Sequence, residues 1–462
     1  MVFSDYVFLF VFLPVALACF WVTPLRFRTA LLLAASYLFY GWVRYDFCLI
    51  MAASTLLDFG VGRGMENAAS GRRRALLALS LVGNLGLLAW FKYRFFATTS
   101  YDSLAITMGW PTLDLGGHLI LPAGISFYTF QSLSYSIDVY RGTIPPERNL
   151  LRFAAYIALF PQLVAGPIVR FADVRSALGR LAPTFDDLAL GAQRFMLGLA
   201  KKVLIANQVA PFADALFAGG GQGALDAWVG TLGYAVQIAF DFSAYSDMAI
   251  GLGRMLGFRF PENFRSPYQA CSVTDFWRRW HQTLGAWFRD YLYIPLGGNR
   301  KGKLRTTFNL AATMLLCGLW HGANATFLFW GAWHGLLLLL ERARLFPCAE
   351  VRTVWNQAST FLLVTLGWVW FASSDLDEAS RIFGLLFLSD GWGPWTLLWP
   401  SADRMPILAL SLGLLIAWLA PASQEVARTR TPLRSILLVL IFLLSLLFLL
   451  FERDQSFLYF QF

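Results

Sequence analysis

Charge is what this sequence has least of. Only 14% of its 462 residues are Asp, Glu, Lys or Arg, against about 25% in soluble domains, which excludes a water-facing surface over most of the chain. Histidine is scarcer still: His118, His281, His321 and His334 are the whole set. Cys19, Cys48, Cys271, Cys317 and Cys348 are scattered, with neither the spacing of a disulfide framework nor that of a thiolate metal site. Cys317 sits one helical turn before His321, where a Cys–His nucleophile is conceivable and a small packing residue is the simpler reading. No nucleotide-binding glycine loop, zinc spacing or Ser–His–Asp signature occurs, so nothing calls for a metal or a permanently bound cofactor. With no solenoid repeat, Ser/Pro-rich linker or long charged tail to divide it, a single domain over 1–462 is expected.

What replaces charge is hydrophobicity: 57% of residues are apolar or aromatic and the mean hydropathy is +0.56. Apolar stretches of about 17–25 residues, the length that crosses a bilayer, stand out at 6–25, 75–91, 116–137, 153–169, 224–240, 355–372, 405–420 and 435–451. Weaker or paired ones lie at 29–43, 46–61, 186–200, 203–218 and 306–340. The expected fold class is an all-α polytopic membrane protein with about ten to twelve crossings. Nothing basic precedes the first span, so it is read as a retained helix and not a cleaved leader. The net charge of +9 sits in short loops and is no nucleic-acid signal. Arg26, Arg28 and Arg72 to Arg74 mark two cytoplasmic loops, with Arg44 and Asp46 at an outer turn, so the N-terminus faces outward.

One segment breaks the apolar pattern. Over 254–305 ten Arg or Lys residues meet only Glu262, Asp275 and Asp290, the basic and aromatic composition of a cytoplasmic, interfacial stretch. Within it, 272–293 reads as one helix opened by a Ser272–Asp275 capping box. At 100° per residue, Trp277, Trp280, His281, Leu284, Phe288 and Tyr291 share an inward face, while Arg278, Arg279, Gln282, Arg289 and Asp290 point away.

His321 lies near the middle of the charge-free run 306–340. As one helix that run would be about 52 Å long, too long for one comfortable crossing and short for two. Gly318, Gly322 and a capping Asn324 put the expected break beside His321. Irregular backbone at membrane depth is tolerated only where it is buried or lines a wet cavity, and an ionisable residue there is either functional or a hydrogen-bonded core histidine. His334, about 140° away if one helix continues, is read as structural, and His118 as a surface residue. Two polar clusters also interrupt spans. FDFSAYSDMAIG (240–251) carries Asp241, Ser243 and Asp247, which require a cavity, an ion pair or a place outside the hydrocarbon. FYTFQSLSYSIDVYRG (127–142) places Asp138 and Arg141 at a helix end.

These residues resemble the membrane-bound O-acyltransferase family, and within it the branch of alginate O-acetyltransferases and teichoic-acid D-alanyl transferases. The resemblance runs through MVFSDYVFLFVFLP (1–14), LPAGISFYTFQSLSY (121–135), FPQLVAGPIVRF (160–171), FDFSAYSDMAIGLG (240–253), FWRRWHQTLGAWFRDYLYIPLGGNR (276–300), LWHGAN (319–324), WGAWHG (330–335) and the closing FLYFQF (457–462). It implies a ring of membrane helices, some interfacial or broken, around a central funnel in the bacterial inner membrane. It also implies His321 as the signature histidine and His281 as a second active-site histidine. An acyl donor would enter from the cytoplasm, acetyl-coenzyme A for alginate-like members, and the acyl group would pass outward. The implied partners are membrane lipids, an acetyl-transferring protein outside the membrane and an exported polysaccharide.

The residue chemistry fits acyl transfer. Attack of a hydroxyl on a thioester needs a proton acceptor, and a neutral imidazole supplies about 10²–10⁴ in rate. His321 is the expected general base, and His281 would position substrate or stabilise the oxyanion. Trp320 or Asn324 would assist, and a covalent acyl-histidine is the alternative. Trp277, Trp280, Ser243 and Asp247 are further candidate substrate contacts, and Arg278 and Arg279 offer counter-charges for coenzyme A phosphates, although the same arginines serve the positive-inside rule. Two other readings stay open: a D-alanyl or other acyl transferase using a carrier protein or lipid acceptor, and a polysaccharide or lipid transporter whose polar spans form a pathway.

Overall fold

The computed structural model describes all residues except 43, 114–118, 346–352, 388–390, 394–403, 429–430, 452–457 and 459–462. His118, Cys348 and most of the closing FLYFQF therefore lie outside the described residues. The described residues fold into helices joined by turns and extended links, with no strand among them. Two compact units divide the chain: Met1–Leu188 with Leu252–Phe260, and Ala189–Gly251 with Pro261–Phe462.

The first unit is built from α1 (Leu13–Val22), α2 (Arg28–Gly41), α3 (Asp46–Met65), α4 (Ser70–Leu88), α5 (Arg94–Met108), α6 (Ile125–Arg141), α7 (Leu150–Ala158), α8 (Phe160–Leu163) and α9 (Phe171–Gly179). A π-helical turn fuses α4 and α5 into one apolar rod over 70–108. Asp58, fully buried on α3, explains why α3, α4 and α6 pack together: it accepts from Ser80 and Asn84 of α4 and from Ser136 of α6. A carboxylate stripped of water needs such donors. The span expected at 153–169 is not a continuous helix. It breaks at Leu159 after α7 and leaves the helix through a turn after α8, where Gln162 and Tyr156 side chains bond backbone carbonyls, at Tyr156 and Val169. At the other cluster, α6 ends at Arg141, as expected, on a left-handed Gly142.

The second unit begins within α10 (Phe185–Lys201) and continues through α11 (Asn207–Phe217), α12 (Ala224–Met255), α13 (Val273–Arg279), α14 (Gln282–Phe288), α15 (Gly302–His321) and α16 (Ala325–Arg342). It closes with α17 (Val354–Ala372), α18 (Leu376–Leu386), α19 (Met405–Leu419), α20 (Ser423–Arg428) and α21 (Pro432–Phe451). Among the described residues three helical stretches are long and apolar enough to cross a membrane: 46–65, 70–108 and 432–451. Shorter apolar helices cover 8–22 and 405–419. The expected spans at 186–200 and 224–240 are helical as well; the first carries the buried Arg194, which pairs with Asp247 beyond the end of the second.

Candidate active site

The run 306–340 breaks where its glycines and Asn324 placed the break. α15 ends on His321, Gly322 is extended, and the Asn324 side chain accepts from Thr326 N–H at 3.2 Å to start α16. The chain thus turns back on itself as an antiparallel hairpin. Close approach depends on bare glycine faces: a Cβ on Gly318 would lie 2.2 Å from the Phe327 carbonyl oxygen, and one on Gly322 would lie 1.9 Å from the Phe327 ring. The buried His321 ring is enclosed edge-to-face by Trp320, Trp330 and Phe371, at 5.0, 5.0 and 5.1 Å between centroids. Because the helix turns, the 140° separation from His334 does not apply. Trp330 touches both rings, and His334 is packed among Trp277, Trp330 and Phe276.

The helix expected over 272–293 is two helices. Ser272 does cap the first, accepting from Asp275 N–H at 3.1 Å, but α13 stops at Arg279 and His281 takes a left-handed backbone, φ +40°. Such a conformation costs energy in a residue with a side chain and persists where its surroundings impose it. Asn263 does so here. Its carbonyl oxygen accepts Gln282 N–H at 2.9 Å, and its side-chain Oδ1 accepts Thr283 N–H at 3.3 Å and Thr283 Oγ1 at 2.8 Å. The opening amides of α14, which an uninterrupted helix would have bonded internally, are thereby satisfied. The inward face nevertheless survives: Trp280, His281, Leu284, Phe288 and Tyr291 are buried, Trp277 is half-buried and Arg278 is exposed.

The two histidines meet around one residue. Trp320 packs against His321 and also lies 6.0 Å, ring to ring, from His281. His281 is further gripped by Phe242 at 4.8 Å edge-on and by Phe264 at 6.2 Å nearly parallel, with Nδ1 3.0 Å from Asn263 Oδ1. It belongs to the irregular segment between α12 and α15, and burial pushes its imidazole down to about 3, so it is neutral at physiological pH. Phe264 also lines a largely apolar cavity of about 430 Å³ shared with Ser243, Asp247 and Lys201.

The remaining candidates separate. Trp277 and Trp280 belong to the aromatic wall behind the histidines, with Trp280 against Trp368 and Phe264. Asn324 spends its side chain on the cap and on the Ser374 carbonyl. Arg279 pairs with Asp275 beside exposed Arg278 and lines with it a polar basin of about 450 Å³ that also includes Arg265. Ser243 donates to the Ala239 carbonyl. Asp247 accepts from Arg194 and, at 2.8 Å, from Lys201, and Arg194 also binds Glu262 at 2.6 Å. Asp241 pairs with Lys202 at 2.8 Å. Pairing is thus how the structure meets the cost of carboxylates at 240–251. Arg194, Lys201 and Asn263 were missed from sequence, although two cations inside apolar stretches were a legible signal.

Comparison with known proteins gives the chemistry a setting. The model of the MBOAT, membrane-bound O-acyltransferase family matches residues 143–373, a stretch containing both histidines. The chain is 44% identical over 496 aligned positions, covering all of both chains, to a Pseudomonas putida protein named probable alginate O-acetylase AlgI. A Helicobacter pylori peptidoglycan O-acetyltransferase is 33% identical, with 83% of this chain and 79% of the relative covered. A teichoic acid D-alanyltransferase of Bacillus subtilis is 29% identical across 44% of this chain and 55% of its own.

Proposed function

Since the chain belongs to the membrane-bound O-acyltransferase family and is an O-acyltransferase of the membrane, we propose that it moves an acetyl group from cytoplasmic acetyl-coenzyme A outward, for O-acetylation of an exported, alginate-like polysaccharide. The observation that carries this reading is the pair of buried histidines joined by Trp320 in a chain that resembles O-acetyltransferases along its whole length. The donor is a thioester and the acceptor a hydroxyl. As the O–C bond forms and the C–S bond breaks, the hydroxyl loses a proton that finally resides on the departing thiol.

A neutral imidazole is suited to take that proton. The division of labour drawn from sequence gives this task to His321, with His281 beside it and the Trp320 indole in reach of developing charge. The aromatic enclosure of both rings excludes water, which protects the thioester from hydrolysis. On this reading the cytoplasmic side has a polar basin in which Arg278, Arg279 and Arg265 outnumber Asp275 and Glu425, and its excess positive charge is compatible with coenzyme A phosphates. Delivery to a polymer outside the membrane calls for a partner protein there, and the reading places the chain in the inner membrane with its N-terminus outward.

The test is acetyl transfer from radiolabelled acetyl-coenzyme A by protein reconstituted in vesicles. His321→Ala should lower turnover by about 10²–10⁴ while the protein keeps its thermal unfolding transition. Full turnover in that variant would remove His321 from the reaction, and a wild-type protein that ignores acetyl-coenzyme A but accepts an acylated carrier protein would replace the donor.

A further inference from the structure

Aromatic rings cage both histidines, and the rings differ in what stands behind them. Around His321, Trp330 is backed by Trp277, His334 and Trp368, and Phe371 by Phe327 and Trp368. Those walls are solid, one ring packed on the next. Around His281 stand Phe242, Trp320 and Phe264. Phe264 belongs to two structures at once. Its ring lies 6.2 Å from that of His281, nearly parallel to it, with Trp280 and Phe242 at 5.1 and 5.0 Å. The same residue lines the cavity of about 430 Å³.

That cavity is of ligand size and of hydrocarbon character. Leu197 from α10, Leu204 and Ile205 from the turn after it, Leu412 and Ile416 from α19 and Ile441 from α21 supply its apolar wall. Its two charged lining residues, Lys201 and Asp247, are paired with each other at 2.8 Å, so each has its counter-charge in place before any ligand arrives. An acetyl group carries a single methyl beyond its carbonyl and needs none of this space. A longer acyl chain would need an apolar space of this kind.

Phe264 is placed to refuse it. The backbone is pinned on both sides of this residue: the Asn263 carbonyl accepts Gln282 N–H at 2.9 Å, and Arg265 N–H donates to the Arg279 carbonyl at 3.0 Å. Both partners flank His281 in the chain, so the buried Phe264 ring is tied to the segment that carries the histidine. A wall fixed in this way discriminates by steric clash, because a chain that must displace it loses the packing of His281, Trp280 and Phe242 together. We infer that Phe264 is a specificity-determining residue, whose ring closes the apolar cavity off from the histidine pair and restricts the transferred group to acetyl. The inference rests on the acyl-transfer reading and leaves His321 as its base.

The test compares acyl transfer from radiolabelled acetyl- and hexanoyl-coenzyme A by full-length protein reconstituted in vesicles. The wild-type protein should prefer acetyl. Phe264→Ala opens the wall, and each methylene moved from water to apolar surroundings is worth about fourfold. The hexanoyl-to-acetyl ratio of kcat/KM should therefore rise by about 10²-fold, while acetyl transfer itself falls because the lost ring also packs His281. Refilling the cavity by Ala417→Phe in the Phe264→Ala background should return the ratio toward wild type. A residue that only supports the fold would lower both activities together, and a ratio unchanged in Phe264→Ala, or raised but insensitive to Ala417→Phe, would overturn the inference. Phe264→Leu, with an intermediate ratio expected, carries the same test if the alanine variant fails to fold. A wild-type protein that ignores acetyl-coenzyme A would defeat the proposed donor, and the ratio is then read with the same acyl groups on a carrier protein. Turnover of neither thioester would defeat the acyl-transfer reading and the role of the wall with it.

Discussion

His321 and His281 both pack near Trp320, yet they are held by different means. His321 is placed by its own neighbourhood in sequence: a helix that ends on it, a glycine after it, an asparagine that starts the return helix, and glycines that let the two legs touch. His281 is placed by residues far from it in sequence. Asn263 holds it, Ser246 and Thr283 hold Asn263, and Arg194, which precedes His281 by more than three-quarters of a hundred positions, holds the flanking carboxylates. One histidine is positioned by backbone chemistry, the other by a buried polar network. A network fails as a unit when one member is lost, whereas a local turn fails by degrees.

That contrast can be broken experimentally. The largest effect should come from Arg194→Met, which deprives Asp247 and Glu262 of their shared cation. Breaking a buried ion pair costs about 3–5 kcal/mol, and the value here should fall toward the lower end because Glu262 is partly exposed and Asp247 keeps Lys201. Thermal unfolding in detergent measures the loss, and acetyl transfer should fall with it although Arg194 touches no reacting atom. If stability drops while turnover per folded molecule is untouched, the network does not position His281.

Next in size is Gly322→Ala. The added methyl meets the Phe327 ring, and overpacking of this kind costs about 1–3 kcal/mol. The effect should centre on the α15–α16 turn, so hydrogen exchange should rise around 318–327 and stay at wild-type levels near Asn263. Equal disturbance at both places would erase the distinction between the two supports.

The smallest effect is a slope in pH. Folding lowers the His281 pKa, through burial, to about 3 from an ordinary 6.5. Above pH 6.5 the imidazole is neutral in both states and contributes no pH dependence. Between 6.5 and about 3 the unfolded chain binds a proton that the folded one refuses, so stability falls as the pH is lowered, by at most about 1.4 kcal/mol per unit. His281→Gln should flatten the curve of unfolding temperature against pH over that window, and an unchanged curve would show that His281 is not held neutral.

Much of the local geometry around the two histidines is legible in the sequence. The break beside His321 follows from a helix too long for one crossing and from glycines where it must turn, and the inward face of Trp280 and His281 follows from a 100° period. The continuous helix over 272–293 failed for a physical reason: no glycine or proline stands at Trp280 and His281. The break is imposed from outside, by Asn263 offering the amides of Gln282 and Thr283 a better partner. Periodicity survived the error because the burial of a face depends on direction, and both short helices keep theirs.

The sequence by itself determined that this chain is helical, apolar and bound for a membrane, and that His321 stands at an irregular point within it. Those properties are sums over neighbouring residues: hydropathy, helical period, a glycine turn and a cap. Only the tertiary structure decided that His281 bends its own backbone, that its Nδ1 faces the Asn263 side-chain oxygen, and that Asp247 serves an ion cluster. Each of these depends on which donor or acceptor arrives from a distant segment, because a buried polar group takes its state from the partner it meets.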